Sequence, residues 1–547
     1  MLCREIGLPF FSVLFNAAGK FKIIAANTQE VKETIAKVEE QLNDWLIKVS
    51  YGENALGISY QEASANDFVS GRFPRLWDRL SLQEEAKKLA RLNLEKYSGS
   101  FRSYLDSFNN ELTHPLCPFC GKRPSDTAVE AEKTFVQDVG SACTVCRDHI
   151  FLGTDLVKKN RVAISKAARS PFKKENRLLA PIYGYYQVSF VDDSLDELAR
   201  TGNLLKLWDL TSDTQGMMTQ NVAVKYLNGY VPTYTPEAAF DERITEGLNK
   251  EEKISLIEQI DRGEPKTLEH IAAMARRPTD KPGKYSGIEA LGILKADIDY
   301  LGLLLAGGLE EKSFTISRLS TLSRQLNFYF GLYLPYLFST EERYREIYTV
   351  FAGGDDLFLI GPWNSIIELA FHLQKSFAAY VCHNPEITLS AGISLQKPHT
   401  PLDHLAAAAE TALKQSKDGG RNRLTLFDET VTWPEMAEML KIRETLQLWL
   451  EQQWINNAML YRLHELMALA GAEKRLVKNN NIYLKNLSCV KWRALLAYAV
   501  ERNVAKDLKG EMRQETVRAV GAQMAEWLLQ YGSKLKIPLW GLLYDLR

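Results

Sequence analysis

One segment decides the fold: Tyr348-Thr-Val-Phe-Ala-Gly-Gly-Asp-Asp-Leu-Phe-Leu-Ile360. Its two apolar, β-rich halves flank Gly353 and Gly354, and adjacent glycines accept the positive φ that a tight hairpin requires. Asp355 and Asp356 would then project from the tip of a rigid ribbon. Paired carboxylates suit Mg²⁺ or Mn²⁺, and two such ions can bridge an attacking hydroxyl and a leaving phosphate oxygen. A plain surface hairpin explains the segment equally well, because glycine and aspartate are favoured in turns.

A second acidic position favours the chemical interpretation. The apolar run from Ala290 to Ile298 predicts a strand with Asp297 near its end. Residues 284–430 alternate as strand, helix, strand, strand, helix, strand, which is the order of a ferredoxin-like α+β sandwich. In such a sheet this strand neighbours the hairpin, so that Asp297 can meet Asp355. Converging carboxylates repel one another unless a cation lies between them, which predicts a divalent metal site.

The end of the predicted helix Leu402–Lys417 places a cation nearby. Helical spacing puts Ala409, Leu413 and Ser416 on one packed face, and Lys417 at the helix end can reach a triphosphate. A lysine before a glycine-rich helix end is commonplace on its own, since both residue types are favoured there.

Four of the seven cysteines form two close pairs, Cys117-Pro-Phe-Cys120 and Cys143-Thr-Val-Cys146. Each pair places two sulfur atoms on one tight turn, and two such turns complete a tetrahedron around Zn²⁺. Two separate redox pairs, or chance, are the alternatives. A site of four thiolates leaves no position for a substrate, which predicts a structural role, and thiolates kept reduced for a metal point to the cytoplasm.

Composition narrows the class of protein. Among 547 residues, 46% are hydrophobic and 25% charged, which excludes collagenous, coiled-coil and wholly disordered chains. The net charge of -1 by itself indicates no nucleic-acid partner, although basic residues outnumber acidic ones in 431–547. The longest apolar stretch, Phe328–Phe338, contains Pro335 and is too short to span a membrane, so no membrane association is expected.

The motifs together resemble a known family. In chain order they are Asp297-Ile-Asp299, Gly353-Gly-Asp-Asp356, Thr388-Leu-Ser-Ala-Gly-Ile393 and Ala412-Leu-Lys-Gln-Ser-Lys-Asp-Gly-Gly-Arg-Asn422, an order similar to that of the GGDEF nucleotide cyclases. With Leu319-Ser-Thr-Leu-Ser-Arg-Gln-Leu326 and the cysteine pairs added, the chain more closely resembles the large palm-domain subunit of type III-A (Csm-type) CRISPR effector complexes. This resemblance covers essentially the whole chain.

The resemblance implies an α+β multidomain fold with two ferredoxin-like palm (nucleotide cyclase-like) domains, a zinc-binding module and a C-terminal helical domain. The expected regions are a degenerate first palm at 1–110, the zinc-binding module with a basic segment at 111–180, a mixed connecting region at 181–283, the second palm at 284–430 and the helical domain at 431–547. The first hairpin, Ala17-Ala18-Gly19-Lys20, has no carboxylate, so that the first palm would hold no metal.

The resemblance also implies an activity: synthesis of cyclic oligoadenylates from ATP when target RNA binds. Asp297, Asp355 and Asp356 would hold two Mg²⁺ or Mn²⁺ ions, Lys417 would contact phosphate, and Gly353, Gly354 and Ser323 would border the nucleotide. The expected partners are the other subunits of a type III ribonucleoprotein, guide RNA and target RNA. A GGDEF-type dinucleotide cyclase that uses GTP and a catalytically inactive scaffold are the alternatives.

The chain departs from the family in two respects. Family members usually begin with an HD nuclease domain, yet none of the eight histidines here is followed by aspartate, so no nuclease activity is expected. The first palm also lacks the strand and helix that open such a fold. A separate polypeptide, or a part of the protein outside this sequence, is therefore expected to complete it.

Overall fold

The computed structural model assigns regular secondary structure along most of the chain. It describes residues 1–9, 12–17, 20–90, 114–126, 141–159, 161–167, 176–191, 195–209, 223–224, 230–235, 241–247, 249–260, 263–354, 356–478 and 484–547. The strands are β1 Val13–Ala17, β2 Lys20–Ile23, β3 Arg161–Lys166, β4 Tyr186–Val191, β5 Leu204–Asp209, β6 Ala223–Val224, β7 Arg277–Pro278, β8 Tyr285–Ser286, β9 Leu291–Ile298, β10 Tyr348–Gly353, β11 Asp356–Pro362, β12 Leu389–Gln396, β13 Arg423–Leu426 and β14 Glu429–Thr432.

The α-helices complete the description. They are α1 Leu2–Glu5, α2 Gln29–Ser50, α3 Phe73–Leu89, α4 Thr144–Lys158, α5 Asp196–Arg200, α6 Glu242–Thr245, α7 Lys250–Gln259, α8 Leu268–Ala273, α9 Leu301–Gly307, α10 Ile316–Phe328, α11 Leu334–Thr340, α12 Trp363–Tyr380, α13 Leu402–Asp418, α14 Trp433–Glu451, α15 Asn457–Lys478, α16 Trp492–Asn503, α17 Gly510–Tyr531 and α18 Lys536–Leu546. None of these helices is both long and apolar enough to cross a membrane.

Contacts divide the chain into two compact units. The first unit comprises residues 1–229, 263–265 and 301–333, and the second comprises 230–262, 266–300 and 334–547. The segment 301–333, which includes α9 and α10, lies between β9 and β10 in the sequence yet groups with the first unit. The boundaries of the five regions expected from the sequence remain predictions.

The first unit begins with a hairpin and a long helix. β1 and β2 pair antiparallel, and α2 is capped by Thr28, whose hydroxyl accepts a hydrogen bond from the backbone N–H of Val31. A separate sheet has the strand order β4-β3-β5-β6. Its strand β3 lies in the basic segment expected within 111–180 and buries Val162 and Ala163.

The second unit is built on a sheet of six strands in the order β10-β11-β9-β12-β13-β14. The first four strands have the ferredoxin-like order that the sequence predicts, whereas β13 and β14 were not expected from it. β13 lies parallel to β12 after the crossover helix α13, and the other neighbouring strands pair antiparallel.

Helices cover both faces of this sheet, and two glycines allow them to pack closely. A Cβ atom at Gly292 would lie 2.8 Å from the Ile366 side chain on α12, and one at Gly392 would lie 2.1 Å from the backbone nitrogen of Leu413 on α13. No larger residue fits either position without moving a helix. On the α13 face, Leu291 and Ile293 are buried with Ile360, Leu405 and Ala409. This packing fixes where the end of α13 stands over β9.

Candidate functional site

The hairpin between β10 and β11 forms as the sequence predicts. Gly353 is paired with Asp356, which leaves a two-residue loop between the strands. Of the two glycines, Gly354 takes the left-handed conformation with φ 66°, whereas Gly353 ends the strand. Asp355 lies outside the described residues, so its expected role as a metal ligand stays a prediction.

Asp297 stands in the middle of the acidic site. It is the penultimate residue of β9 and lies opposite Asp356 on β11 and opposite Ser390 on β12. Asp297 is only 9% exposed, whereas Asp356 is exposed at the strand start. Among the described residues, Asp356 thus lies opposite Asp297, because the second strand of the hairpin rather than the first lies beside β9.

Lys417 supplies the cation of the site. Its ammonium group forms an ion pair with the Asp297 carboxylate. The preceding residue, Ser416, is fully buried and donates a 2.7 Å hydrogen bond to the carbonyl of Ala391 on β12, and its hydroxyl lies 2.7 Å from that of Thr425 on β13. These contacts hold the last turn of α13 against the sheet and thereby aim Lys417 at Asp297.

Asp299 has a function that the motif alone did not reveal. Its carboxylate is buried and accepts hydrogen bonds from the hydroxyls of Thr388 (2.7 Å) and Ser390 (2.6 Å) and from the backbone N–H of Asn422 (3.0 Å). Asn422 has a positive φ of 49° after the end of α13. The carboxylate thus clamps the turn after α13 to the end of β9, and it is already satisfied by protein donors.

The same turn orients Arg421. Its guanidinium lies 4.1 Å above the Tyr300 ring and donates a 3.2 Å hydrogen bond to the Tyr300 hydroxyl. Arg421 and Lys417 are thus two cations at and just after the end of α13, of which Lys417 contacts Asp297. Sequence reasoning did not select Arg421, although its position four residues after Lys417 at the end of α13 was a usable signal.

Replacing Asp299 with asparagine tests the clamp. The substitution removes one acceptor oxygen and places an amide donor against existing donors, so we expect the free energy of unfolding to fall by about 2 to 3 kcal/mol. Urea-induced unfolding, with hydrogen exchange of residues 419–426 as a local readout, measures the effect. The matched control is Asp403→Asn in the exposed first turn of α13. Equal stability of the two variants would contradict the clamp.

Ser323 and Lys20 lie in the first unit rather than with the acidic residues. Ser323 is 3% exposed on the inner face of α10, beside the buried Leu319 and Leu326. Lys20 is exposed at the start of β2, with its ammonium 3.8 Å from Glu84. The expected place of Ser323 beside the nucleotide remains a prediction.

The four cysteines come together as their spacing predicts. Within the described part of the chain, the sulfur atoms of Cys117, Cys120, Cys143 and Cys146 all lie within 4.8 Å of one another. A tetrahedral Zn²⁺ site has sulfur atoms roughly 3.8 Å apart, given Zn–S bonds of about 2.3 Å. Convergence of the two pairs favours one four-thiolate site over two separate redox pairs, and the cluster could bind Zn²⁺.

Backbone geometry around the cysteines is that of a metal-binding turn. The Cys143 thiol accepts a 3.4 Å hydrogen bond from the N–H of Cys146 at the start of α4. Burial raises the pKa of Cys143 and Cys146. Partial burial also acts to raise the pKa of Cys120, but N–H groups of residues 123 and 122 outweigh it and lower this pKa to about 7. Four neighbouring thiolates need a cation to balance them.

Two sequence families match parts of the chain. Residues 290–425 match the family described as Cas10/Cmr2, second palm domain. Residues 1–103 match the family described as Csm1 subunit domain B. These matches confirm the resemblance drawn from the motifs, and the first of them contains Asp297, Asp356 and Lys417.

Curated relatives extend the similarity over most of the chain. The Cas10/Csm1 protein of Methanocaldococcus jannaschii, named as a CRISPR system single-strand-specific deoxyribonuclease of subtype III-A, is 25% identical over 480 residues, covering 79% of this chain and 54% of the relative. The protein of the same name from Enterococcus italicus is 24% identical over 476 residues, covering 85% and 54%. The chain therefore spans about half the length of the curated relatives it matches.

Solved structures share the fold. The Csm1–Csm4 cassette without ligand matches with a TM-score of 0.62 and 18% identity, covering 100% of this chain and 64% of the solved one. Cassettes solved with one ATP and with cA4 match with TM-scores of 0.59 and 0.58, at the same identity and coverage. The multidomain α/β architecture is thus that of Csm1.

Proposed function

We propose that this chain, which is related to the Cas10/Csm1 subunits of type III-A CRISPR systems, synthesises cyclic oligoadenylates from ATP at its second palm. The observation that carries the proposal is the pairing of Asp297 with Asp356 across β9 and β11, with Lys417 bound to Asp297. Cassettes of similar fold were solved with one ATP and with cA4, which supports ATP as the substrate and a cyclic oligoadenylate as the product.

The acidic residues fit a divalent cation. Asp297 is a nearly buried carboxylate directly opposite a second carboxylate, and the side chain now balancing it is a cation, the Lys417 ammonium. Asp297, Asp355 and Asp356 would hold Mg²⁺ or Mn²⁺. Such ions would supply charge stabilisation at the transferring phosphate.

The chemistry we propose is in-line nucleotidyl transfer. A ribose hydroxyl of one nucleotide forms a bond to the α-phosphate of another, the bond to the β-phosphate bridging oxygen breaks, and pyrophosphate leaves. Lys417 and Arg421 neutralise charge on the triphosphate, and Asp299 acts only as a positioning residue through the turn that carries Arg421. The hairpin loop has only two residues, and because Gly354 has no side chain it leaves room for the phosphates.

Lys417→Ala isolates the phosphate contact. Loss of a charge-assisted hydrogen bond of about 1.5 to 3 kcal/mol corresponds to about a 10- to 100-fold rise in the KM for ATP. Steady-state synthesis of oligoadenylates at varied ATP measures it. Lys414→Ala, an exposed lysine one turn earlier on α13, is the control. An unchanged KM for Lys417→Ala would remove this residue from the nucleotide site.

The remaining parts of the proposal concern assembly. We infer that Cys117, Cys120, Cys143 and Cys146 hold a structural Zn²⁺, and that the chain works in the cytoplasm. Its proposed partners are a Csm4-type subunit, the other type III subunits, guide RNA and target RNA.

The test is product formation by the purified complex. The complex is incubated with Mg²⁺ or Mn²⁺ and either ATP or GTP, with and without target RNA, and the products are identified by mass spectrometry. The proposal expects cyclic oligoadenylates from ATP only, with more product when target RNA is present. A cyclic dinucleotide formed from GTP would indicate a GGDEF-type cyclase instead. If neither nucleotide gives a product, a catalytically inactive scaffold is the remaining interpretation.

A further inference from the structure

The turn between β13 and β14 has a strained backbone. Leu426 is paired with Glu429, so that Phe427 and Asp428 form a two-residue loop. Both loop residues have a positive φ, 53° at Phe427 and 63° at Asp428. Loops of this conformation favour asparagine and glycine, because a bulky side chain at positive φ strains the backbone. The Phe427 ring must therefore make contacts outside the hairpin that offset this strain.

Contacts with α18 offset the strain. Phe427 is only 9% exposed, and its ring centroid lies 5.4 Å from that of Trp540 and 5.8 Å from that of Tyr544. The Phe427 and Tyr544 rings meet edge to face, an arrangement that stabilises aromatic pairs beyond the burial of their surface. The Asp428 side chain, by contrast, is 86% exposed. Of the two loop residues, Phe427 is therefore the one that is buried against α18.

α18 is itself fixed to the second unit. The Tyr544 carbonyl accepts a 3.0 Å hydrogen bond from the N–H of Ile288, shortly before β9. The Asp545 carboxylate, which is buried, forms ion pairs with Arg443 on α14 and with Arg277 on β7. These contacts join α18 to α14 and to the chain that leads into β9. Phe427 thus packs against a surface that is held in place from several sides.

β13 connects this contact to the nucleotide site proposed above. The strand has four residues, and three residue pairs join it to β12. Its start follows Asn422, whose N–H donates to the Asp299 carboxylate, and its end leads into Phe427. The strand is therefore held at both ends. Because protein interiors are closely packed, a displacement of one end of so short a strand is transmitted to the other.

Two contacts relate the position of β13 to the cations of the site. The Thr425 hydroxyl on β13 lies 2.7 Å from that of Ser416, the residue before Lys417. Arg421 lies in the turn that leads into β13, and its carbonyl accepts a 2.8 Å hydrogen bond from the Arg423 guanidinium. Lys417 and Arg421 therefore both depend on the position of β13.

We propose that Phe427 is a positioning residue for the nucleotide site. Packed against α18, its ring holds β13 in place and thereby keeps Lys417 and Arg421 aligned with the triphosphate. Phe427 acts through β13 and needs no contact with the nucleotide or the metal ions. The proposal rests on the function proposed above, because it takes these two cations to bind a triphosphate.

Phe427→Asn in the purified complex tests the contact. Asparagine adopts a positive φ more readily than phenylalanine, so the substitution removes the ring while it relieves the strain of the turn. We expect the KM for ATP to rise about 3- to 10-fold, less than for Lys417→Ala because the ammonium group is retained. The kcat should change by less than about twofold, since binding rather than chemistry is affected. Hydrogen exchange of residues 416–426 should accelerate.

Asp428→Asn is the matched control, because it places the same residue in the same turn at an exposed position. It should leave the KM for ATP and the exchange rates unchanged. Trp540→Ala removes the other side of the contact and should reproduce the effects of Phe427→Asn. The double variant of Phe427→Asn and Trp540→Ala should be no worse than either single variant, as expected of two residues that act through one contact.

Mn²⁺ binding, measured by calorimetry, separates positioning from general damage. Asp297 and Asp356 lie on β9 and β11 rather than on β13, so Phe427→Asn should not weaken Mn²⁺ binding. Equal losses of ATP affinity and Mn²⁺ affinity would overturn the proposal. A Phe427→Asn variant that matches Asp428→Asn in every measurement would also overturn it.

Failure of the proposed function is seen separately. If the unsubstituted complex makes no oligoadenylate, that function is refuted, and the dissociation constant of ATP from calorimetry takes the place of the KM. Weaker ATP binding and faster exchange in Phe427→Asn would still support the positioning role. Unchanged ATP binding and exchange, or no ATP binding by the unsubstituted complex, would overturn it.

Discussion

Asp356→Asn is expected to lower oligoadenylate synthesis by at least about 10³-fold. The substitution removes one of the two carboxylates that face each other across β9 and β11, and preorganised charge at a transferring phosphate is among the largest contributions to catalysis. Asp356 is exposed, so the loss should come without unfolding. Product formation by mass spectrometry and Mn²⁺ binding by calorimetry measure the two effects separately.

The matched control is Asp428→Asn. Asp428 lies in the turn between β13 and β14 with a φ of 63°, a conformation that asparagine also adopts readily. Like Asp356→Asn, the Asp428→Asn substitution removes one negative charge from this sheet. It should leave product formation and Mn²⁺ binding unchanged. The double variant Asp355→Ala plus Asp356→Ala should be as inactive as Asp356→Asn. Undiminished synthesis by either variant would refute the assignment of the metal site.

If the four cysteines hold the proposed Zn²⁺, Cys117→Ser is expected to remove the metal and to lower the stability of the first unit strongly. Structural Zn²⁺ contributes binding free energy of about 10 to 16 kcal/mol that is available only to the folded module. Cys117 is fully buried among the other three cysteines, so that no solvent ligand can replace it easily. We expect mass spectrometry of the intact protein to show one Zn²⁺ in the original chain and none in the variant.

Cys382→Ser serves as the control because Cys382 is exposed and lies in the second unit. Thermal unfolding followed by hydrogen exchange should show early opening of residues 114–126 and 141–159 in Cys117→Ser alone. Treatment of the original chain with a chelator should reproduce that pattern. A Cys117→Ser variant that keeps its metal and its melting temperature would mean that the cysteines are packed without binding Zn²⁺.

Local chemistry made much of the fold predictable. Two apolar runs around Gly353-Gly354 specify a hairpin because turn geometry depends on neighbouring residues, and the structure has β10 and β11 there. The helix predicted at Leu402–Lys417 is observed as α13, with Ser416 on its packed face. The two cysteine pairs could be recognised in the sequence as readily, because each pair needs only one tight turn.

Contacts between elements that are distant in the sequence were harder to predict. Short β13 and β14 were missed because four-residue strands carry little periodicity. Helix α10 is followed by a π-helical turn at Tyr329–Tyr333, and both group with the first unit although they lie between β9 and β10 in the sequence. The amphipathic pattern of α10 indicates that one face is buried, but it does not indicate which surface that face packs against.

The sequence by itself determined which residues carry charge and which turns present them: Asp297 at a strand end, Asp356 after a glycine turn and Lys417 at a helix end. Tertiary structure alone decided that Asp356 lies opposite Asp297. It also decided that the Asp299 carboxylate accepts its hydrogen bonds from Thr388, Ser390 and Asn422. The physical reason is that strand order and register depend on contacts distant in the chain, while turns and helix ends depend on neighbours.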